Sequence, residues 1–543
     1  MIKIVRKFLK THHLDALVIT RTDSFFGEYY PPEKDQLYRT CGFSGSAGLA
    51  IITQDTAVLF VDSRYTDQAK IEAPDFRVFE IPTETIPSVW MVQHLKGLKI
   101  GYNSTQRSVG WVTYLMGQKL NLVPVSDWQK LFPPPVFKDI PIFDYDLSYC
   151  GESATDKVEK VADIIKNHGL DAYVFTQPDS VSYLLNKRCL WVPEYPVVFE
   201  RLIVFSDGRT TGFTDHLSDL KDMHVGLDMR LTSMDIFQKI KNVAHITDLA
   251  DPVEAIKAIK NTVEQQNIRE ACLFESQVIC RFLAFVEQNK SALDELSCGK
   301  KLREFRSQSP LYRGDSFDTI AAVGEHAAMA HYLPTPKTNV PVTSAPLLLV
   351  DTGGNYLNGT TDMTRTICTG NPTDEIKKRY TQVLKGHIAL ATSVVKDGDL
   401  PCDLDIKARS FLRADGVDYG HSTGHGIGMY LAVHESPPTI YEKSDTPLKA
   451  GMLFSNEPAY YKSGAFGIRL ENMIMTIPGP DNTLILENLL WIPFDGRLVA
   501  FDMLSDSEKE WLRFYHHAIL ERIFPTLSNE EQSTLRPLID FFL

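Results

Sequence analysis

Residues 350–365 read VDTGGNYLNGTTDMTR, and the two aspartates they carry, Asp351 and Asp362, decide what the rest of the chain must build. The run Leu347, Leu348, Leu349, Val350 ahead of Asp351 is continuous and apolar, the pattern of a strand buried on both faces. A carboxylate at the end of such a strand is cut off from water and needs a partner; a metal ion is one. Gly353-Gly354 marks a turn, and a second strand from about Thr364 to Cys368 returns Asp362 towards Asp351.

Three later stretches offer matching donors: HSTGHGIG at 421–428, SNEPAYY at 455–461 and GIRLEN at 467–472. An isolated Asp or Glu is usually a solvated surface charge or a turn former, and a lone His on a glycine-rich loop is usually a turn residue. Taken together, Asp351, Asp362, His425, Glu457 and Glu471 supply enough anionic oxygen for two divalent ions that activate a shared water, a hydrolytic site. Period-two alternation over 467–471 puts Arg469 and Glu471 on one face and Ile468 and Leu470 on the other, so Arg469 balances the carboxylates. The glycine-rich stretch 420–428 is not a phosphate loop, because it lacks the following Lys-Ser/Thr and any GxGxxG spacing. Its glycines let backbone pass close to a ligand, with His421 and His425 projecting and His434 soon after. Oxygen donors outnumber the single imidazole, which suits Mn²⁺, with Co²⁺, Fe²⁺ or Zn²⁺ as competitors.

The series VDTGGNYLNGTTDMTRT, STGHGIGMYLAVHESP, NEPAYY and AFGIRLEN resembles the metal-dependent pita-bread peptidases, and within them the aminopeptidase P branch. AAMAHYLPTPKTN (327–339) resembles the segment that carries a catalytic histidine there, which falls on His331. PFDGRLVAFDMLSDSEKEWLRFYHH (493–517) resembles the tail of the long, three-domain members, and TCGFSGSAGLAIITQDTAVLFVDSRYTDQA (40–69) extends the likeness to the N-terminal part. The resemblance implies hydrolysis of an N-terminal Xaa-Pro bond in peptides. It also implies a division of labour: Asp351 and Asp362 on one ion, Asp362, His425 and Glu457 on the other, and Glu471 bridging. Glu457 doubles as proton shuttle, His331 and His434 hydrogen-bond the tetrahedral intermediate or the proline-side carbonyl, and His421 and Arg469 stand just behind, binding substrate or supporting the ligands. Arg64, in Val61-Asp-Ser-Arg-Tyr65, is a further candidate for substrate contact, against an ordinary surface salt bridge. Tyr332 and Tyr430 are candidates for lining a proline pocket, against plain core packing.

Two rivals share the fold: an Xaa-Pro dipeptidase (prolidase), and a non-catalytic peptide-binding relative. The chain length and the tail favour the aminopeptidase, and a dead relative predicts eroded ligands, whereas all five are present. The chain departs from the family pattern at Asn358-Gly359, which still suits a tight turn, and at 187–196, where an expected Arg-Gly is missing.

A chain of 543 residues is too long for one core. Its 43% hydrophobic and 23% charged residues make it globular, and a net charge of −13 argues against nucleic acid or anionic membrane as partner. Eight scattered cysteines without a CxxC pair suit a reducing compartment, and the charged N-terminal decapeptide has no signal-peptide core; the expected location is cytoplasmic. Family analogy implies a homodimer.

The front half repeats itself. LDALVITRTDS from Leu14 recurs as LDAYVFTQPDS from Leu170, seven identities in eleven positions at an offset of 156, each after an amphipathic helix. The expected fold is therefore α/β (α+β): two related N-terminal creatinase-like α/β domains with mixed sheets, 1–140 and 141–250, then a pita-bread catalytic domain, 251–543, with a helical tail. In the last, Thr262-x-x-Gln265 reads as a capping box opening a helix with the stripe Ile268, Cys272, Ile279, Phe282, Val286. Thr373 opens a second helix, and Ser505-x-x-Glu508 opens what reads as the final one.

Overall fold

The computed structural model describes residues 1–30, 35–133 and 140–543. Two compact units emerge, Met1–Leu147 with Glu152–Ala255, and Ser148–Gly151 with Ile256–Leu543. Among the described residues no helix is long and apolar enough to cross a membrane.

In the first unit the internal repeat becomes a repeated sheet. The helices Ile2–Thr11 and Ala154–Asn167 lead into the strands Ala16–Thr20 and Ala172–Phe175. Each strand pairs antiparallel with an arm of a hairpin, Leu49–Thr53 in the first copy and Leu202–Phe205 in the second, and parallel with Lys99–Tyr102 or His224–Leu227. The sheets are thus mixed, as expected, with six strands in the first copy and five in the second. All described residues of both central strands are buried, which is why the repeated motif is so apolar.

The second unit is antiparallel throughout. The strands Ile320–Val323, Leu347–Thr352 and Met363–Cys368 form one sheet. A six-stranded sheet runs in the order Val395–Lys396, Thr483–Asn488, Asn472–Pro478, Leu453–Asn456, Gly424–Gly426, Glu435–Ile440. Helices Thr262–Asn289 and Asp374–Ala391 pack apolar stripes into the common core: Ile268, Cys272, Ile279, Phe282 and Val286 from one, Ile376, Tyr380, Val383, Leu384 and Ile388 from the other.

Three local readings are corrected. Gly353-Gly354 is not the point of reversal: the strand breaks at Gly353, continues in another sheet as Gly354–Tyr356, and reverses over Leu357 and Asn358 to pair Tyr356 with Gly359. Gly353 is needed for closeness instead, since a Cβ there would lie 1.9 Å from the Thr361 carbonyl oxygen. The first helix is capped one residue earlier than Thr262, by Asn261 with Glu264 answering; both Asn and Thr can cap, and Asn261 is the one whose side chain meets the free N–H groups. The helix Asp506–Arg522, capped by Ser505 and Glu508 as expected, is followed by another, Asn529–Ile539, with its own capping box of Ser528 and Glu531.

A buried ionic network meets this segment at Tyr356. Arg306 and Glu275 are wholly buried and 2.6 Å apart, Asp315 is 3.1 Å from the same guanidinium, and the Tyr356 hydroxyl donates to Glu275. Removing one member of such a network strands the others without compensation. Arg306→Met should therefore cost about 3–5 kcal/mol in chemical denaturation. Arg536→Met, which breaks a half-exposed pair with Asp540, should cost no more than about 1 kcal/mol.

Candidate metal centre

Strand register explains how residues far apart in sequence meet. Asp351 pairs with Thr364 and Thr352 with Met363, so Asp362 stands beside Asp351 at one end of the ladder. Asn456 pairs with Asn472, so Glu457, just after the first, and Glu471, just before the second, flank the point where the hairpin of Ala459–Lys462 and Phe466–Arg469 leaves the sheet. The Glu471 amide donates to the Thr364 carbonyl at 3.0 Å and joins the two halves. His425 sits at a bulge, where the register with Glu435–Ile440 shifts between His425 and Gly426, a device that re-aims a side chain. Gly424 beside it allows a close approach, not to a ligand but to the next strand: a Cβ would lie 1.9 Å from the Ser455 carbonyl oxygen.

Asp362, His425 and Glu471 each present a ligand atom within 4.8 Å of the others. His425 Nε2 lies 3.4 Å from Asp362 Oδ2 and 3.4 Å from Glu457 Oε1. Its Nδ1 is 2.9 Å from the Gly426 carbonyl oxygen, which can only accept, so the ring hydrogen is on Nδ1. Nε2 is thereby left facing the carboxylates, and it is the nitrogen free to ligate a metal once it gives up its proton. Asp351 completes the set: one oxygen takes a 2.5 Å hydrogen bond from Arg469 Nη2, while its other oxygen is buried with no hydrogen-bond partner.

Four carboxylates against one guanidinium leave an excess of negative charge that two divalent cations would neutralise. Neighbouring ligands about 2.1 Å from a common ion are themselves roughly 3.0–3.4 Å apart, the spacing found around His425. The residues present therefore fit a pair of metal ions.

Arg469 also donates to Thr364 Oγ1 (3.1 Å), the Tyr461 hydroxyl (2.6 Å) and the Ala330 carbonyl (3.2 Å), the last adjoining His331. The His434 ring meets the His425 ring edge-on at 4.4 Å and lies nearly parallel to that of His331 at 6.5 Å. His421 Nε2 is 2.9 Å from the Tyr461 hydroxyl and its Nδ1 is 3.8 Å from Glu457. Arg64 belongs to the first unit, where it forms a two-pronged pair with Asp62, each bond 2.8 Å. Tyr332 is buried and donates to Glu295, and Tyr430 is fully buried.

Residues 266–477 match the family model described as metallopeptidase family M24, and 482–536 match the C-terminal region of peptidase M24. Residues 1–130 and 133–221 each match a Creatinase/Prolidase N-terminal domain. A probable Xaa-Pro aminopeptidase P of Laccaria bicolor is 32% identical over 97% of this chain and 91% of its own length. The chain belongs to metallopeptidase family M24. Human Xaa-Pro aminopeptidase 2 is 29% identical over 97% of this chain and 86% of its own. Among solved structures, an X-prolyl aminopeptidase from Caenorhabditis elegans, described as a cytosolic enzyme with a di-nuclear active site, superposes with a TM-score of 0.91 at 27% identity, covering 100% of this chain and 98% of its own. The M24 architecture is thus the pita-bread one, preceded by two creatinase-like domains.

Two residues of this M24 site went unread in the sequence. Thr364 donates from its hydroxyl to Glu471 Oε2 at 2.7 Å and accepts from Arg469; its alternation with Asp362 along the strand was the available signal. Tyr461, pushed up to about 12 by burial, links Arg469 to His421, and only its place in NEPAYY hinted at this.

Burial dominates the electrostatics. It pushes the Asp351 carboxyl up to about 6, with Arg469 opposing and Asp362 adding. It also raises Glu457, and it lifts Glu471 well above the usual carboxylate range with three like-charged neighbours contributing. For His425 burial works downward, but the hydrogen bond to Asp362 and the charges of Glu457 and Asp362 carry it up to about 9. Without metal, protons hold the places of cations.

Metal uptake must then release protons. Asp351 binds its proton more tightly folded than unfolded, so its contribution to stability is present below the ordinary Asp pKa of about 3.9 and is lost as pH rises through about 6. A cation offsets that loss only where the carboxylates are free. The stabilisation of metal-stripped protein by a fixed concentration of Mn²⁺, read as a rise in melting temperature, should grow between pH 5.5 and 7.5; a hundredfold excess over Kd is worth about 3 kcal/mol. A benefit that is flat or shrinks with rising pH contradicts this electrostatic account.

Proposed function

We infer that the protein is a metal-dependent aminopeptidase that cleaves the bond between an N-terminal residue and a following proline. The observation that carries this reading is the convergence of all five ligand side chains, with His331 and His434 at their edge, in a chain aligned over nearly its full length with Xaa-Pro aminopeptidases. Prolidases of known structure are alike in fold alone, such as one from Thermococcus sibiricus at 21% identity and a TM-score of 0.52 over 63% of this chain.

Asp351 and Asp362 would hold one ion, Asp362, His425 and Glu457 the other, with Glu471 shared between the two. When bound, two divalent ions bring the pKa of water towards neutrality and polarise the scissile carbonyl. Water oxygen joins the carbonyl carbon, the C–N bond breaks, and the proline nitrogen must gain a proton. Glu457, oriented by a 3.2 Å hydrogen bond from Ser455 and raised in pKa by burial, carries that proton. His331 and His434 donate to the carbonyl oxygen as charge grows on it. Arg469 fixes Asp351 and the backbone before His331, and His421 orders Glu457. Because proline nitrogen bears no hydrogen, recognition rests on shape, a task for which Tyr332 and Tyr430 are candidates, and Arg64 remains our candidate for contact with the peptide.

Mn²⁺ is the metal this donor set favours. The reading includes domains at 1–140, 141–250 and 251–543 and a homodimer by family analogy. A cytoplasmic location is supported by eight scattered cysteines without a CxxC pair and by the cytosolic nematode neighbour.

The test compares Xaa-Pro-Yaa, Xaa-Pro and Xaa-Ala-Yaa peptides after metal removal and Mn²⁺ restoration. Cleavage of the first alone is expected, with kcat falling about 10²–10³-fold in His434→Ala. Preference for the dipeptide makes the protein a prolidase, and no cleavage of any makes it a binding module.

A further inference from the structure

The first unit contains a cavity of about 290 Å³ lined by residues of both repeats, among them Arg21, Thr22, Gln106, Arg107, Ser108 and Arg230. Three guanidinium-bearing residues border it, and among the described residues no carboxylate does. Two of the three are neutralised from outside the lining: Arg21 lies 2.9 Å from Asp35, and Arg230 lies 2.7 Å from Asp228 and 3.0 Å from Glu254.

Arg107 differs. Its guanidinium rests over the Trp111 ring at 4.5 Å, and its Nη2 is buried with no hydrogen-bond partner. Burial lowers its pKa to about 9 with no acidic neighbour to restore it, which still leaves the group charged at neutral pH. Its backbone is held in place: Met234 donates to the Arg107 carbonyl at 2.8 Å, Val109 donates to Thr232 at 3.0 Å, and Gly110 donates to Met229 at 2.9 Å. A guanidinium on a fixed backbone, with one nitrogen buried and no counter-ion among the described residues, is costly, and its planar fork matches carboxylate or phosphate oxygens.

We propose that this cavity is a binding site for a small oxyanion, a phosphate- or carboxylate-bearing metabolite, with Arg107 as the gripping fork. The hydroxyls of Thr22 and Ser108 and the Gln106 amide offer further hydrogen bonds, and the volume is near the lower end of small-molecule sites, about 300 Å³. None of the residues lining it is among the candidate metal ligands.

Calorimetric titration of the full-length, manganese-loaded protein with sulfate, and separately with acetate, at ionic strength held constant by chloride, tests the proposal. One saturable site per chain is expected, weakened at least tenfold by Arg107→Met while peptide hydrolysis is unchanged. Stronger sulfate binding assigns a phosphate-type ligand, and stronger acetate binding a carboxylate. If Arg107→Met does not fold, Arg107→Lys, which keeps the charge and loses the fork, serves in its place. No saturable binding of either anion, or undiminished affinity in the variant, overturns the proposal.

Discussion

Negative charge buried at the end of one strand pair governs this molecule. Asp351, Asp362 and Glu471 are nearly shielded from water, and one guanidinium, Arg469, cannot balance them together with Glu457. Folding such a cluster is unfavourable unless protons or cations enter with it. The surrounding architecture serves this constraint. Arg365, itself buried, donates to the carbonyls of Thr364 and Glu471, to Ile492 and Pro493, and to Asn472, while the Tyr515 hydroxyl on the tail helix sits 3.1 Å from it. The helical tail is thereby tied to the backbone that carries Glu471. Rigidity at this point keeps the carboxylates apart when they would repel and together when they must share ions.

Glu295 plays the matching part for the histidines proposed as catalytic. Wholly buried, it accepts hydrogen bonds from the Val323 amide, His326 and the Tyr332 hydroxyl, so the segment that carries His331 is anchored on both sides. His331 and His434 come from separate segments yet stack, which requires each of those segments to be fixed independently.

Much of this was legible in the sequence because burial and metal ligation leave plain marks. The apolar run before Asp351, the placing of Arg469 against a carboxylate, and the duplicated LDA motifs each reflect one physical demand, and the structure realises all three, although the strand assumed over 467–471 ends at Arg469 and resumes at Asn472. Thr373 and Ser505 were readable as caps because a hydroxyl followed by acidic residues has few other uses there. The misplaced turn at Gly353-Gly354 is instructive: glycine answers equally to reversal and to close backbone approach, and only the partner strand distinguishes them. Adjacent Asn261 and Thr262 can both cap, so the boundary was ambiguous by one residue. Tyr461 and Thr364 left only faint local signals, because their role depends on which strand lies opposite, a long-range fact. Arg107 was passed over for the same reason, since lacking a partner is a property of the fold.

The central claim is that five side chains of one chain hold two ions as a single unit. Manganese titration of metal-stripped protein, followed by electron paramagnetic resonance, tests it most directly. The account predicts two ions per chain with the spectrum of an exchange-coupled pair, as ions about 3.5–4 Å apart must give. A single ion at saturation, or two with the spectra of isolated Mn²⁺, would contradict it.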